Sequence, residues 1–278
     1  MQTITGYTDR RASLRGIDIH YLGWGDPGAP PMVLLHGLTG HAHIWDHMAP
    51  ALAGHYHLLA PDQRGHGDSG HAGSYTTADF VDDLAAFVAH TALPPFVLMG
   101  LSMGGHNAMA FAAAHPELVT HLIAIDIPPK LDLRGSPGWA EMERLAAAGH
   151  TTFASFGEAV EAARAGNPTA PQENLECRTK WNLNTLPDGG LLLKYDPRAP
   201  VLWAPEDLWP RLASIEAPTL LVRGGKTLVL PRATGERMSS EIRDCELVEV
   251  PESGHSVPTD CPGPLQELVL DWLTRRGA

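Results

Sequence analysis

The sequence predicts an α/β fold in which a mostly parallel sheet of eight strands carries helices on both faces. Runs of β-type residues alternate with helical runs over residues 1–129, and the alternation resumes near residue 213. Between these parts the chain is polar, helical in pattern and interrupted by Pro and Gly, which indicates an insertion. A chain of 278 residues can bury the large core that such a sheet requires.

The predicted elements follow one another in a regular order. The predicted strands are residues 12–15 and 17–21, which form an antiparallel pair, then 32–35, 57–60, 96–99, 121–125, 219–222 and 246–250. The predicted helices are residues 44–52, 77–90, 103–115, 232–239 and 265–273. The helix at 103–115 is rich in Gly and Ala, so its start can lie close to neighbouring strands. The last helix is amphipathic.

The inserted segment divides the chain into two parts. We expect residues 130–212 to form a helical cap, carried by a core of residues 1–129 and 213–278. A cap in this position would cover the edge of the sheet where its parallel strands end.

Charge and cysteine content argue against several classes of protein. A net charge of -12 and a pI near 5.6 provide no basic surface, so we expect neither nucleic acid nor a membrane as a partner. Three cysteines without finger spacing argue against a disulfide framework or a structural zinc site. We find no apolar leader and no apolar run long enough to span a bilayer, which leads us to expect a cytoplasmic protein with a small-molecule substrate. The sequence does not indicate an oligomeric state.

Residues 100–105 carry the most specific signal for chemistry. Gly100, Ser102 and Gly104 fit the pattern G-x-S-x-G, and they stand where an apolar strand gives way to a helix. A serine on such a sharp turn has its hydroxyl directed away from the backbone and toward a cleft. Ser102 is therefore the candidate nucleophile.

Four separated blocks resemble the α/β-hydrolase superfamily over nearly the whole chain. They are residues 36–37, 62–69, 100–105 and 254–255, each after a predicted strand. The carboxyl ends of parallel strands meet at one edge of a sheet, so the four blocks can converge on one crevice. The resemblance implies an α/β-hydrolase fold with its cap inserted after the strand that follows the nucleophile helix.

The resemblance also assigns roles around Ser102. It implies backbone N–H donors at Leu38 and Met103 for the oxyanion, and a structural role for His36 in its loop. A serine hydroxyl needs a base, and His255 lies in the last loop of the core, as the superfamily's order of residues requires. The superfamily needs no metal or cofactor, and none is expected here. The pairs His41-x-His43 and His55-x-His57 are therefore interpreted as structural or solvated.

The third member of the triad departs from the usual pattern. Leu228 stands where most relatives carry an aspartate after the strand at 219–222. Asp126 is the best substitute, because it interrupts an apolar run at the carboxyl end of a strand, and a buried carboxylate there implies a partner. Some members of the superfamily carry their acid at this position, whereas others have a structural Asp here. Glu252 and Asp260 are weaker alternatives.

The predicted cap contains candidate substrate-binding side chains. The basic residues could bind an anionic group and the aromatic residues could line an apolar pocket, although each could equally face solvent or the core of the cap. The candidates are Arg144, Arg164, Arg178, Lys180, Trp181 and Trp203.

Three functions remain open from the sequence. The leading one is a serine hydrolase that cleaves a carboxylic ester, lactone or amide through an acyl-enzyme. A second is a cofactor-independent oxygenase or carbon–carbon bond cleaving enzyme that uses His255 and Asp126 as the base. The third is a non-catalytic small-molecule receptor, against which the presence of all three polar side chains argues.

Overall fold

The computed structural model describes residues 6–135 and 139–278. Its strands are β1 (Tyr7–Leu14), β2 (Ile17–Trp24), β3 (Pro31–Leu35), β4 (His57–Pro61), β5 (Tyr75–Thr76), β6 (Phe96–Leu101), β7 (Val119–Ile125), β8 (Thr152–Phe153), β9 (Leu183–Thr185), β10 (Leu191–Leu193), β11 (Trp203–Ala204), β12 (Thr219–Gly224) and β13 (Cys245–Val250). Its α-helices are α1 (Ala49–Leu52), α2 (Thr77–Thr91), α3 (Met103–Ala114), α4 (Trp139–Ala148), α5 (Phe156–Gly166), α6 (Gln172–Trp181), α7 (Ala199–Leu202), α8 (Arg232–Glu241), α9 (Val257–Asp260) and α10 (Pro262–Arg276). Two 3₁₀ turns lie at Ala42–Trp45 and Trp209–Ser214.

Eight strands form the central sheet, in the order β1-β2-β4-β3-β6-β7-β12-β13. The pairs β1–β2 and β2–β4 are antiparallel, and every other pair in this sheet is parallel. The prediction of a mostly parallel eight-stranded sheet is therefore confirmed. The parallel strands β3, β6, β7 and β12 are neighbours, so the loops that follow them lie side by side.

Helices cover both faces of the sheet. On one face, apolar residues of α2, α3 and α8 pack on the strands around Phe87, Phe111 and Met238. On the other face, the 3₁₀ turn at Ala42–Trp45 packs with α1 and α10 around Trp45 and Trp272, both fully buried. Burial of both faces explains why the central strands read as continuous apolar runs rather than as alternating ones.

Two predicted elements differ at their ends for identifiable reasons. The helix predicted at residues 44–52 is divided into the 3₁₀ turn and α1, which carries Pro50 in its first turn. Proline has no N–H to donate and obstructs the preceding turn, so a helix begins at proline more readily than it runs through it. The first strand is longer than predicted and ends at Leu14, because Arg15 and Gly16, both at positive φ, form the hairpin turn.

Residues 130–212 are not purely helical, contrary to the prediction. Strands β8, β10 and β9 form a small antiparallel sheet beside helices α4, α5 and α6. In addition, β11 pairs in parallel with β5, which belongs to the predicted core. These strands have two or three residues each, too few for their periodicity to be recognised in the sequence.

None of the helices in the described ranges combines the length and apolar character that crossing a bilayer requires.

Candidate active site

Ser102 occupies a strained turn between β6 and α3. Its backbone angles are φ 53° and ψ -121°, which a non-glycine residue adopts only when the surrounding structure enforces them. Gly104 makes the turn sterically feasible, because a Cβ there would overlap the carbonyl oxygens of Leu35 and His36 on the adjacent strand. The turn therefore holds the hydroxyl of Ser102 at the carboxyl edge of the sheet, as the motif predicts.

A chain of hydrogen bonds joins Ser102, His255 and Asp126. Nε2 of His255 lies 2.9 Å from Oγ of Ser102, and Nδ1 of His255 lies 2.6 Å from Oδ2 of Asp126. A carboxylate can only accept, so Nδ1 carries the proton and Nε2 faces the serine with its lone pair. The three side chains come from loops after β6, β7 and β13, and the fold brings them within hydrogen-bond distance.

Asp126 is fully buried, and its charge is compensated by fixed donors. Its Oδ1 accepts the backbone N–H of Gly224 at 3.0 Å, and its Oδ2 accepts the hydroxyl of Thr227 at 2.6 Å. With the ring of His255, three donors surround this carboxylate. Such hydrogen bonds offset the large cost of removing an anion from water.

Sequence reasoning missed Thr227 and Gly224. Gly224 is the last residue of β12, and Thr227 lies in the loop that follows it, in which Leu228 is 97% exposed. Gly224 and Thr227 each donate one hydrogen bond to the carboxylate of Asp126, which follows the neighbouring strand β7. The sequence does show a hydroxyl residue, Thr227, next to Leu228, where the acid was expected. Its role can be recognised only when the structure places it beside Asp126.

The two alternative acids contact other groups. Glu252 is exposed and forms an ion pair with Lys226 at 2.6 Å. Oδ2 of Asp260 accepts the N–H of Gly254 at 2.7 Å and the hydroxyl of Ser253 at 3.1 Å, so it holds the loop that carries His255. Neither carboxylate forms a hydrogen bond with the ring of His255, whose Nδ1 bonds to Asp126.

The predicted oxyanion donors lie beside Ser102. Met103 is the first residue of α3, so its N–H has no acceptor in a preceding helical turn. Leu38 lines the same cavity as Ser102, and its N–H makes no hydrogen bond to any residue that the structure describes. Two free backbone donors at the edge of the sheet are what an oxyanion site requires.

His36 connects two loops rather than facing the serine. Its Nε2 accepts the N–H of Gln63 at 2.9 Å, and its Nδ1 donates to the carbonyl of Gly37 at 2.8 Å. Burial lowers the pKa of His36, so the ring stays neutral and retains the lone pair that Gln63 needs. This arrangement agrees with the structural role predicted for His36.

A cavity of about 470 Å³ opens beside the triad and is bounded by Ser102 and His255. Its floor comes from the loop after β3, and its roof from residues 145–195 of the inserted segment. The lining includes Leu38, Ile44, Leu101, Leu145, Phe153, Leu193, Asn167, Asn182, Tyr195 and Arg178. A cavity of this size and mixed polarity suits a small organic molecule.

Of the six side chains predicted to bind substrate, all within the described ranges, Arg178 lines this cavity. The other five are engaged elsewhere. Arg144 forms an ion pair with Glu141 on the surface, Arg164 donates to Gln172 and to the carbonyl of Ala170, and Lys180 lies over the ring of Trp181. Trp181 stacks on His43, and Trp203 is buried beside Tyr75 and Phe80. These contacts do not support a substrate-binding role for the five, because each side chain packs against or bonds to other residues and none of the five lines the cavity.

Candidate metal ligands cluster away from the cavity. Atoms of His20, Asp62 and Asp68 lie within 4.8 Å of one another. Asp62 already accepts the ring N–H of His20 at 2.7 Å and the N–H of Ala42 at 2.6 Å, while Asp68 pairs with Lys194 at 2.7 Å. The nitrogen and oxygen atoms that could bind a metal are thus already engaged in hydrogen bonds and an ion pair within the protein. The cluster fits a structural network better than a metal centre.

Comparison with known proteins agrees with this geometry. Residues 30–260 match a family model described as the alpha/beta hydrolase fold. The chain is 30% identical to a 2-(acetamidomethylene)succinate hydrolase of Mesorhizobium japonicum, over 88% of this chain and 87% of that protein. It is 31% identical to an esterase of Mycobacterium tuberculosis, over 93% of this chain and 87% of that protein.

Solved structures give the same result for the fold. A crystal structure of E-2-(acetamidomethylene)succinate hydrolase superimposes with a TM-score of 0.83 at 24% identity, covering 96% of this chain and 99% of that one. A structure of the M. tuberculosis esterase superimposes with a TM-score of 0.80 at 26% identity, covering 97% and 93%. The chain is therefore a hydrolase that belongs to the α/β-hydrolase fold family.

Proposed function

We propose that this hydrolase cleaves a carboxylic ester, lactone or amide of a small molecule through an acyl-enzyme on Ser102. The observation that carries the proposal is the hydrogen-bond chain from Ser102 through His255 to Asp126, with distances of 2.9 and 2.6 Å. Relatives that bear the names esterase and 3-hydroxybutyrate-oligomer hydrolase add support for this reaction class.

In the first half of the reaction Oγ of Ser102 attacks the acyl carbon. The proton of the hydroxyl passes to Nε2 of His255, and the carbonyl oxygen becomes an oxyanion that accepts the N–H groups of Leu38 and Met103. When the tetrahedral intermediate collapses, the bond to the leaving group breaks and Nε2 returns its proton to that group. Asp126 keeps the ring in the reactive tautomer and stabilises the cation that forms on it.

In the second half a water molecule attacks the acyl-enzyme. Its proton passes to Nε2 of His255 while its oxygen bonds to the acyl carbon. Collapse then releases the carboxylic acid, and Oγ of Ser102 recovers the proton. No external oxidant or metal is needed for either half.

The test is a screen of 4-nitrophenyl esters, lactones and amides with the wild type and three variants. Ser102→Ala should abolish turnover and labelling by a serine-directed fluorophosphonate. Ser240→Ala is the matched control and should behave as the wild type, because Ser240 is exposed on α8 and bonds to the carbonyl of Arg237. Asp126→Asn should lower kcat by on the order of 10⁴-fold, as expected when the ring loses its tautomer.

Two outcomes would reject the proposal. One is a fluorophosphonate adduct on a residue other than Ser102, identified by mass spectrometry of peptides. The other is full ester turnover in Ser102→Ala, which would favour the His255–Asp126 pair acting as a base without covalent catalysis.

A further inference from the structure

Arg178 is a cation to whose guanidinium the described residues offer no hydrogen-bond or ion-pair partner. It lies on α6, and it borders the cavity that Ser102 and His255 also line. Its guanidinium forms no hydrogen bond or ion pair with any residue in the described ranges, whereas its backbone carbonyl accepts from the ring of His41 at 2.9 Å. An arginine has five N–H donors, so an unused guanidinium at a cavity wall is exceptional.

Burial makes this lack of a partner costly. Arg178 is half-buried, and it is one of the residues that line the cavity. Burial lowers the pKa of Arg178, although a guanidinium stays charged at every pH at which a protein is folded. A partly desolvated cation without a partner destabilises the free protein, and a bound anion would remove that penalty.

The groups around Arg178 do not supply the missing charge. Asp260 is the acid whose charge acts on it, yet no oxygen of Asp260 lies within the 4.0 Å of an ion pair, and its Oδ2 is engaged with Gly254. Burial lowers the pKa values of His36 and His41, and the nearby charge of Arg178 lowers them further. Both rings are therefore neutral and do not compete for an anion.

Other basic residues in residues 130–212 contrast with Arg178. Arg144 pairs with Glu141, Lys194 with Asp68 and Arg198 with Asp196, each within 2.7 Å. Arg164 donates to Ala170 and Gln172, while Arg134 and Lys180 lie over tryptophan rings. Arg178 differs from these side chains because its guanidinium has no such contact within the described ranges and because it borders the cavity.

We propose that Arg178 binds a carboxylate of the substrate, so that this enzyme acts on anionic acyl compounds in preference to neutral ones. The inference rests on the proposed function, since it places the carboxylate at one end of the cavity and the scissile bond at Ser102. A guanidinium can donate two parallel N–H bonds to a carboxylate, which fixes the orientation of the substrate as well as its charge. The apolar side chains between the two ends would contact the carbon chain that joins them.

The test compares two substrates that differ in one charge. Mono-4-nitrophenyl adipate carries a free carboxylate, and methyl 4-nitrophenyl adipate is its neutral methyl ester. We expect the wild type to have a kcat/KM at least 10-fold higher for the anion. In Arg178→Met that ratio should fall by about 10- to 100-fold, the range of a charge-assisted hydrogen-bonded pair, with little change for the neutral ester. Arg178→Lys should keep part of the preference.

Arg232→Met is the matched control, because Arg232 is an exposed arginine on α8 that pairs with Glu236. It should keep the wild-type ratio. Adipate itself should inhibit hydrolysis of the neutral ester, with an inhibition constant that rises at least 10-fold in Arg178→Met and stays the same in Arg232→Met.

The outcomes separate this inference from the proposed function. If the wild type hydrolyses both esters with equal kcat/KM and adipate does not inhibit, Arg178 does not bind a carboxylate, although ester hydrolysis stands. If neither ester is hydrolysed at Ser102, the proposed function fails. Should Arg178→Met unfold, the wild-type ratio and Arg178→Lys still decide the question.

Discussion

At the residue level, a hydrogen bond between Thr227 and Asp126 connects the loops that follow the neighbouring strands β12 and β7. The hydroxyl of Thr227 accepts the N–H of Val229 at 3.0 Å and donates its own proton to Oδ2 of Asp126 at 2.6 Å. The same oxygen of Asp126 accepts the ring N–H of His255. Thr227 is thus a positioning residue, because it fixes the carboxylate that in turn fixes the ring.

Replacing Thr227 by valine removes this donor at nearly constant volume. We expect kcat for a 4-nitrophenyl ester to fall about 10-fold, which corresponds to about 1.4 kcal/mol, since hydrogen bonds to charged groups contribute that much or more. KM should change little, because Thr227 is not part of the cavity lining. Steady-state kinetics measure the split between the two constants.

Thr227→Ser restores the hydroxyl and should recover most of kcat. Thr274→Val is the control, since its hydroxyl bonds only to the carbonyl of Leu270 on an exposed turn of α10. A loss of stability in Thr227→Val with unchanged kcat would contradict the positioning role.

At the scale of elements, the contact between the start of α3 and strand β3 determines the geometry of the nucleophile. Gly104 lies against the carbonyl oxygens of Leu35 and His36, so helix and strand approach more closely than any side chain would allow. This approach places the N–H of Met103 and the loop of Leu38 on the same side of Ser102. The proposed oxyanion donors would therefore depend on a packing distance between two elements.

Gly104→Ala tests this dependence. Its Cβ must push α3 away from β3, which should lower the free energy of unfolding by about 1–3 kcal/mol, the range of overpacked cores, and lower kcat as well. Gly157→Ala is the matched control, because a Cβ at that exposed position on α5 would lie at an ordinary contact distance of 3.9 Å from Oγ of Ser155, its nearest neighbour in the described structure. It should be neutral or slightly stabilising, as alanine favours a helix over glycine. Wild-type stability and kcat in Gly104→Ala, measured by urea unfolding and steady-state kinetics, would contradict the argument.

At the scale of the whole molecule, buried neutral histidines make stability depend on pH. His66 is fully buried with Nδ1 bonded to the carbonyl of Arg64 at 2.8 Å, and burial lowers its pKa to about 3. Burial lowers the pKa of His106 to about 4. In the unfolded chain both rings titrate near 6.5. Between pH 6.5 and about 4 the unfolded state therefore binds protons that the folded state does not bind. The free energy of unfolding falls as the pH falls through this range.

We expect the free energy of unfolding to drop between pH 7 and pH 5 by about 2 kcal/mol for each of these two rings. Urea unfolding at the two pH values measures the drop. In His106→Gln the side chain stays uncharged in both states, so the drop should be smaller by about 2 kcal/mol, whatever the stability of the variant at pH 7. Equal drops in wild type and variant would show that His106 does not cause the acid sensitivity.

Features that depend on neighbours along the chain could be predicted from the sequence. The alternation of strands and helices predicted the sheet, and the strand–turn–helix pattern around Ser102 indicated the candidate nucleophile, because both follow from local geometry. The loop position of His255 and the interrupted apolar run at Asp126 were also readable, since a polar residue at the end of a strand is a local signal. The short strands of residues 130–212 were not, because two or three residues show no period.

Which polar groups pair with one another depends on tertiary packing. Thr227 gained a role when the loop after β12 came to lie beside Asp126, and four basic candidates were reduced to Arg178 when the partners of the other three became visible. Pairing depends on which distant residues packing brings within about 3 Å, a distance that sequence spacing does not encode. The sequence thus indicated the candidate site, and the packing of the inserted segment determined which of its charged side chains borders the cavity.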